Sequence, residues 1–235
     1  MSQLVRSSDL ASPAAGAGPS EIDLIEPGEF LSARFVDLPK GGAHAVEAAP
    51  GTDAYLYLFS GDAVLETAGR TQPFSAGAFL PLAEGGVVTI TGVAGQSRLY
   101  VVTAKGPDLP GVPATADAIL VDSLPVLDVP EQLKQRVFLV GKESIPSERS
   151  HGMIVKYTGD TWTKSHHHPN AESVFFFLTG NALVLANGAE HPVSAGDFVY
   201  FAVNDSHGLR SADKEGLSFL EFHAPSKFVT VHEAS

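Results

Sequence analysis

The sequence contains no cysteine, which excludes disulfides, thiolate catalysis and cysteine-ligated zinc. Any transition metal must therefore sit on imidazole, carboxylate or amide ligands. Charge is scarce: Asp, Glu, Lys and Arg make up 18% of 235 residues, and 15 basic against 27 acidic side chains leave a formal charge of −12. Basic residues form no run, so neither nucleic acid nor an anionic membrane is expected as a partner. Apolar stretches are short, well below the roughly 20 residues that span a bilayer. The opening MSQLVRSSDLASPAAGAGPS lacks the basic-then-apolar order of a secretory signal. It reads as a flexible arm over residues 1–25, and the protein as cytoplasmic.

Turn-formers, by contrast, are plentiful, with 23 Gly and 16 Pro. This favours short strands joined by tight turns over a helical bundle. The stretch YLYLFSGDAVLETAGRTQPFSAGAFLPLAEGGVV (55–88) lies without a gap on VFFFLTGNALVLANGAEHPVSAGDFVYFAVNDSH (174–207) at an offset of 119 residues. Gly61, Gly69 and Gly77 fall on Gly180, Gly188 and Gly196, and the apolar runs coincide, as a duplication requires. Each copy alternates apolar runs with glycine turns, the grammar of a β-meander that closes into a barrel or sandwich. The turn glycines are expected at positive φ. The Pro-rich KGPDLPGVPATAD (105–117) opens a linker, and VPEQLKQRV (129–137) is the best helix signal, with Pro130 at its first position. The boundaries that follow are 26–104 for the first barrel, 105–135 for the linker and 136–235 for the second barrel.

Within the second copy, Gly159, His166, His168, Glu172 and Gly180, followed by Gly196, Ala202, Asn204 and His207, resemble the two motifs of the cupin superfamily. The resemblance spans both halves and implies an all-β bicupin, two jelly-roll barrels in tandem. Ala202 and Asn204 stand where the second motif usually has Pro and Gly, and the spacer from Gly159 to His166 is one residue longer than usual. Glu172 lies one residue further from Gly180 than usual, with Ser173 in the commoner register. Cupin barrels also tend to dimerise, so a homodimer or higher homo-oligomer is expected.

Side chains two apart share a face of a strand. His166 and His168 are thus expected to point into the barrel, with His167 outward and His207 opposite the pair. Glu172 keeps the same parity and is the fourth candidate ligand, although Pro169 interrupts the ladder. Imidazoles plus a carboxylate suit one divalent Mn, Fe, Ni or Zn per chain. The blander alternative for HHHP is a solvated, histidine-rich loop. In the first copy the same offset puts Glu47, Ala49, Asp53 and Val88 at these positions, a set that makes no metal cage.

The same parity places Val174 and Phe176 on an apolar floor, with Trp162 and Tyr200 as walls and His223 as a pocket residue. Core packing is the competing reading for each. Arg210 is a candidate carboxylate clamp and, with Glu172, a candidate catalytic residue; a solvated turn charge is its alternative. Within the superfamily, the nearest resemblance is to the bicupin ureidoglycine aminohydrolases, or glyoxylate-induced proteins. Stretches such as FLTG (177–180), VSAGDFVYF (193–201) and LYLFSGDA (56–63) carry it. It implies a Mn-dependent release of ammonia from ureidoglycine. That family's ligands are a Glu-x-His pair, a later His and a Gln, and this chain has a different set. Three functions stay open: a hydrolase or lyase acting on a small polar molecule, an Fe(II) cupin dioxygenase, and a non-catalytic small-molecule-binding protein.

Overall fold

A computed structural model describes residues 2–10, 18–25, 27–67, 69–113, 117–141, 144–213 and 216–233. The chain divides into two compact units. One comprises Ala11–Pro27 and Leu31–Leu124; the other comprises Met1–Leu10, Gly28–Phe30 and Pro125–Ser235. No helix among the described residues is long and apolar enough to cross a membrane.

The first unit is an antiparallel sheet in the order Ser20–Asp23, Leu31–Pro39, Val87–Lys105, Thr52–Thr67, Ala78–Leu82 and Ile119–Leu120. Ala43–Glu47 and Arg70–Ser75 pair onto its two longest strands. Apolar side chains fill its interior, Val46, Leu56, Phe74, Val88 and Ile90 among them.

The second unit has two sheets. The larger runs Gln3–Val5, Phe198–Phe201, Glu172–Thr179, Leu217–Ala224, His151–Tyr157, Lys134–Val140 and Leu127–Val129. The smaller runs Ala189–Ser194, Asn181–Ala186, His207–Ser211, Trp162–His167 and Val231–His232. Phe175, Phe177, Val199 and Phe219 from the first meet Ala182, Val184 and Leu209 from the second in one buried core.

The duplication is visible strand by strand. Arg70–Ser75 corresponds to Ala189–Ser194, and the six shared turn glycines all take φ between 76° and 90°. Asn204, at φ 67°, stands where the first copy has Gly85 at φ 73°. Asparagine is among the few L-residues that tolerate this left-handed region, so the motif's missing glycine leaves the turn intact.

Three expectations change. The arm over residues 1–25 is not free along its length: Gln3–Val5 forms an edge strand against Phe198–Phe201. The Ser7 amide donates to the Asp197 carboxylate at 2.8 Å, and Ser20–Asp23 pairs with Leu31–Pro39. Residues 11–17 of that arm lie outside the described residues. The second unit starts at Pro125, before the expected boundary at 136, because Leu127–Val129 already pairs with Lys134–Val140. The helix expected over 129–137 is a single 3₁₀ turn, Pro130–Gln132. Leu133 then turns left-handed, at φ 52°, and the chain continues as a strand.

Candidate metal centre

Strand Trp162–His167 pairs with His207–Ser211 through a β-bulge. The register runs from Trp162 opposite Arg210 and Thr163 opposite Leu209 to His166 opposite His207, a slip of one residue. The corresponding strands of the first unit pair without a slip, with Val46 opposite Val88. The spatial counterpart of His166 is therefore Val46, not Glu47, and both Glu47 and Ala49 are exposed. The slip accounts for the additional residue between Gly159 and His166. Gly208 makes room for it: a Cβ there would lie 2.9 Å from the Thr163 carbonyl oxygen and 3.3 Å from the Ser165 amide.

The bulge brings three imidazoles together. Ring centroids are 4.4 Å apart for His166 and His207, 5.1 Å for His166 and His168, and 5.2 Å for His168 and His207. One nitrogen from each lies within 4.8 Å of the others, the one such group among the described residues. Each Nδ1 is 2.9 Å from a backbone carbonyl: Lys164 for His166, Val229 for His168 and Asp205 for His207. A carbonyl only accepts, so each Nδ1 carries the proton and each Nε2 presents a lone pair. The Nε2 atoms of His168 and His207 are buried without a hydrogen-bond partner. Such orphaned acceptors are costly, and a cation shared among the three satisfies them. These donors fit a divalent transition metal.

Burial pushes the His168 imidazole down to about 4 and that of His207 down to about 3, from 6.5, and the neighbouring imidazoles act in the same direction. Burial lowers His166 too. All three are neutral at pH 7, as metal ligation requires. The unfolded chain titrates near 6.5 and takes up protons that the folded metal-free state excludes. The stability held by these rings is thus fully present above about pH 6.5 and is lost as pH falls toward about 4. The melting midpoint of metal-free protein is expected to drop across that window and less steeply in His168→Ala; equal slopes would contradict the assigned shifts.

Glu172 is buried but not among these donors. Its carboxylate accepts hydrogen bonds from the Glu29 amide at 2.8 Å, the Phe30 amide at 3.0 Å and the Tyr200 hydroxyl at 2.8 Å. The strand containing the first histidines ends at His167, and the turn at Pro169 and Asn170 resets the alternation before Glu172–Thr179 begins. Consequently Ser173, Phe175 and Phe177 face the barrel interior. Val174 and Phe176 are buried on the opposite face, and Tyr200 serves Glu172 and not the cavity. The bulge likewise turns Trp162 outward, where it is 60% exposed. Arg210, opposite it, is exposed and 3.7 Å from Asp160. Neither wall nor clamp is formed by this pair, which instead flanks a groove with Leu183 and Leu185.

His223 does join the site. Its ring lies 4.9 Å from that of His168 and stacks on Phe228 at 4.2 Å. Nε2 donates to the Glu221 carboxylate, and Nδ1 accepts from the Ser173 hydroxyl at 2.7 Å. Burial alone would raise the Glu221 carboxyl, but the adjoining His223 outweighs it and holds the group below the usual range. Glu221 lines a cavity of about 130 Å³ together with His166, His207, Lys134, Arg136 and Tyr157. Met153, Phe175 and Phe219 supply apolar wall. Glu221 had a sequence signal: it is the one charge in the apolar run LSFLEF, two residues before His223 and on the same strand face. Lys134 and Arg136 were hidden by the helix reading of 129–137.

A barrel of this topology with inward histidines on adjacent strands defines a class, the metal-competent jelly rolls. Residues 153–223 match the family described as Cupin domain, and the chain is a two-barrel protein of the cupin fold. Its structure is similar to a putative glyoxylate-induced protein from Pseudomonas aeruginosa, with 17% identity, coverage of 100% of this chain and 90% of that one, and a TM-score of 0.75. It is similar to a salicylate 1,2-dioxygenase mutant from Pseudoaminobacter salicylatoxidans in complex with gentisate, with 12% identity, 100% and 86% coverage and a TM-score of 0.74. An oxalate decarboxylase from Lactobacillus farciminis in a formate complex shows 15% identity, 97% and 88% coverage and a TM-score of 0.71. No curated protein matches the chain in sequence.

Proposed function

We propose that the second barrel is the active centre of a metal-dependent hydrolase or lyase acting on a small polar molecule, with His166, His168 and His207 as ligands. The observation that carries this reading is the convergence of three neutral imidazoles with their Nδ1 atoms engaged and two Nε2 atoms buried without partners. A divalent Mn, Fe, Ni or Zn held there would polarise a substrate carbonyl or carboxyl group, or activate water. The chain's own groups complement that chemistry. Glu221 is ionised, faces the cavity and is held by His223, so it supplies a fixed negative charge beside the ligand rings that stabilises positive charge developing there. Ser173 fixes the opposite edge of the His223 ring. Phe201 stacks on His207 at 4.2 Å and keeps bulk water from its ring.

The cavity of about 130 Å³, in which Lys134, Arg136 and Glu221 stand among apolar walls, suits a compact substrate with a polar group. The likeness to the glyoxylate-induced protein supports the same direction. A second reading, an Fe(II) dioxygenase, is favoured by the all-nitrogen donor set and by the likeness to the salicylate dioxygenase. Metal analysis by mass spectrometry on tag-free protein, followed by turnover assays on ureido and hydroxy acids with and without oxygen, tests both. About one transition metal per chain and oxygen-independent turnover are expected. Oxygen-dependent turnover would transfer the assignment to the dioxygenase, and no metal after reconstitution would overturn both.

A further inference from the structure

We propose that the cavity selects a small carboxylate anion and that Lys134 and Arg136 are its recognition residues. This rests on the reading of the site as a metal-dependent centre and specifies its substrate class. The two side chains are two apart on strand Lys134–Val140, so they share a face. Lys134 is opposite Tyr157 and Arg136 opposite Val155, both of which belong to the barrel core. Both cations therefore project over the cavity that also holds His166, His207 and Glu221.

Lys134 Nζ donates to Thr163 Oγ1 at 2.8 Å and sits 5.0 Å over the Tyr157 ring. Arg136 donates to Gln132 Oε1 at 3.4 Å. No carboxylate pairs with either among the described residues. Glu221, the acidic residue lining the cavity, is bonded to His223. An ammonium has three donors and a guanidinium five, so most of these N–H groups are unused. Two half-buried cations side by side repel each other, and a carboxylate bridging them relieves that repulsion while satisfying the free donors. Burial and the Arg136 charge lower Lys134 from its usual range, and the Glu221 charge opposes them only in part, in keeping with that crowding. The cavity volume of about 130 Å³ is about four waters' share of liquid volume. It admits an acid of a few carbons whose far end lies against His166 and His207.

The test is calorimetric titration of the protein as purified with glycolate, malonate and succinate, with their amides, and with inorganic phosphate. Wild type, Lys134→Met, Arg136→Gln and Lys134→Arg are compared, with metal content measured on the same samples. At least one carboxylate is expected to bind about tenfold or more tightly than its amide and phosphate, and to weaken by about tenfold or more in Lys134→Met and Arg136→Gln. Lys134→Arg should keep much of the affinity, and all variants should retain the metal content of wild type. Equal binding of acids and amides, preference for phosphate, binding by no carboxylate, or variants that bind as wild type would each overturn the inference. Absence of metal from wild type would be the separate failure of the metal reading, because the two cations and their carboxylate selectivity are measured on the same sample.

Discussion

The His207→Ala protein is expected to lose bound metal almost completely, with a fall in affinity exceeding the roughly 10–100-fold that loss of an outer-shell partner produces. His207 is 1% exposed, its Nδ1 is committed to the Asp205 carbonyl, and Phe201 stacks on its ring. Removal of the ring leaves two of the three converging imidazoles, His166 and His168. His167→Ala is the control, since His167 lies between the two ligand histidines in sequence and is absent from the donor group. Metal content and affinity for added Mn(II), measured on both variants, decide the matter. Full metal retention in His207→Ala would exclude this ring as a ligand.

Glu172→Ala is expected to do the reverse: destabilise the fold while leaving metal in place. The carboxylate is 3% exposed and accepts three hydrogen bonds, two from the backbone of Glu29 and Phe30 and one from Tyr200. Its removal strands three donors, each worth about 1–3 kcal/mol when left unpaired. A loss of about 3 kcal/mol or more follows, to be read as a lower urea midpoint. The first unit contains an analogous carboxylate, Asp53, which is fully buried and accepts from the Tyr55 hydroxyl and the Val112 amide, both at 3.0 Å. In each copy, then, an acid at the start of the long strand ties down a neighbouring segment of chain. Wild-type stability with loss of metal in Glu172→Ala would return Glu172 to the ligand set.

Much of the fold was legible in residue order. Glycines recurring at a common offset mark turns that need positive φ, and alternating apolar runs between them dictate strands with one buried face. Asn204 substitutes for glycine without moving the turn, and the motif histidines were identifiable from type and spacing. The absence of cysteine restricted the donors to nitrogen and oxygen before any geometry was known.

Side-chain direction was legible only as far as the alternation ran unbroken. A bulge between Thr163 and His166 inverts parity in one strand, and the turn after His168 inverts it again before Glu172. Together they send Trp162 outward, Glu172 to its backbone partners, and Ser173 and Phe175 inward. The bulge forms because Gly208 on the facing strand leaves room for the extra backbone, a contact between residues more than 40 positions apart. Lys134 and Glu221 enter the same cavity for a similar reason, through strands paired on either side of His151–Tyr157. Local sequence thus determined the strands, the turns and the available donors. Long-range pairing decided which side chains face the metal centre, because a one-residue slip in register exchanges the two faces of a strand.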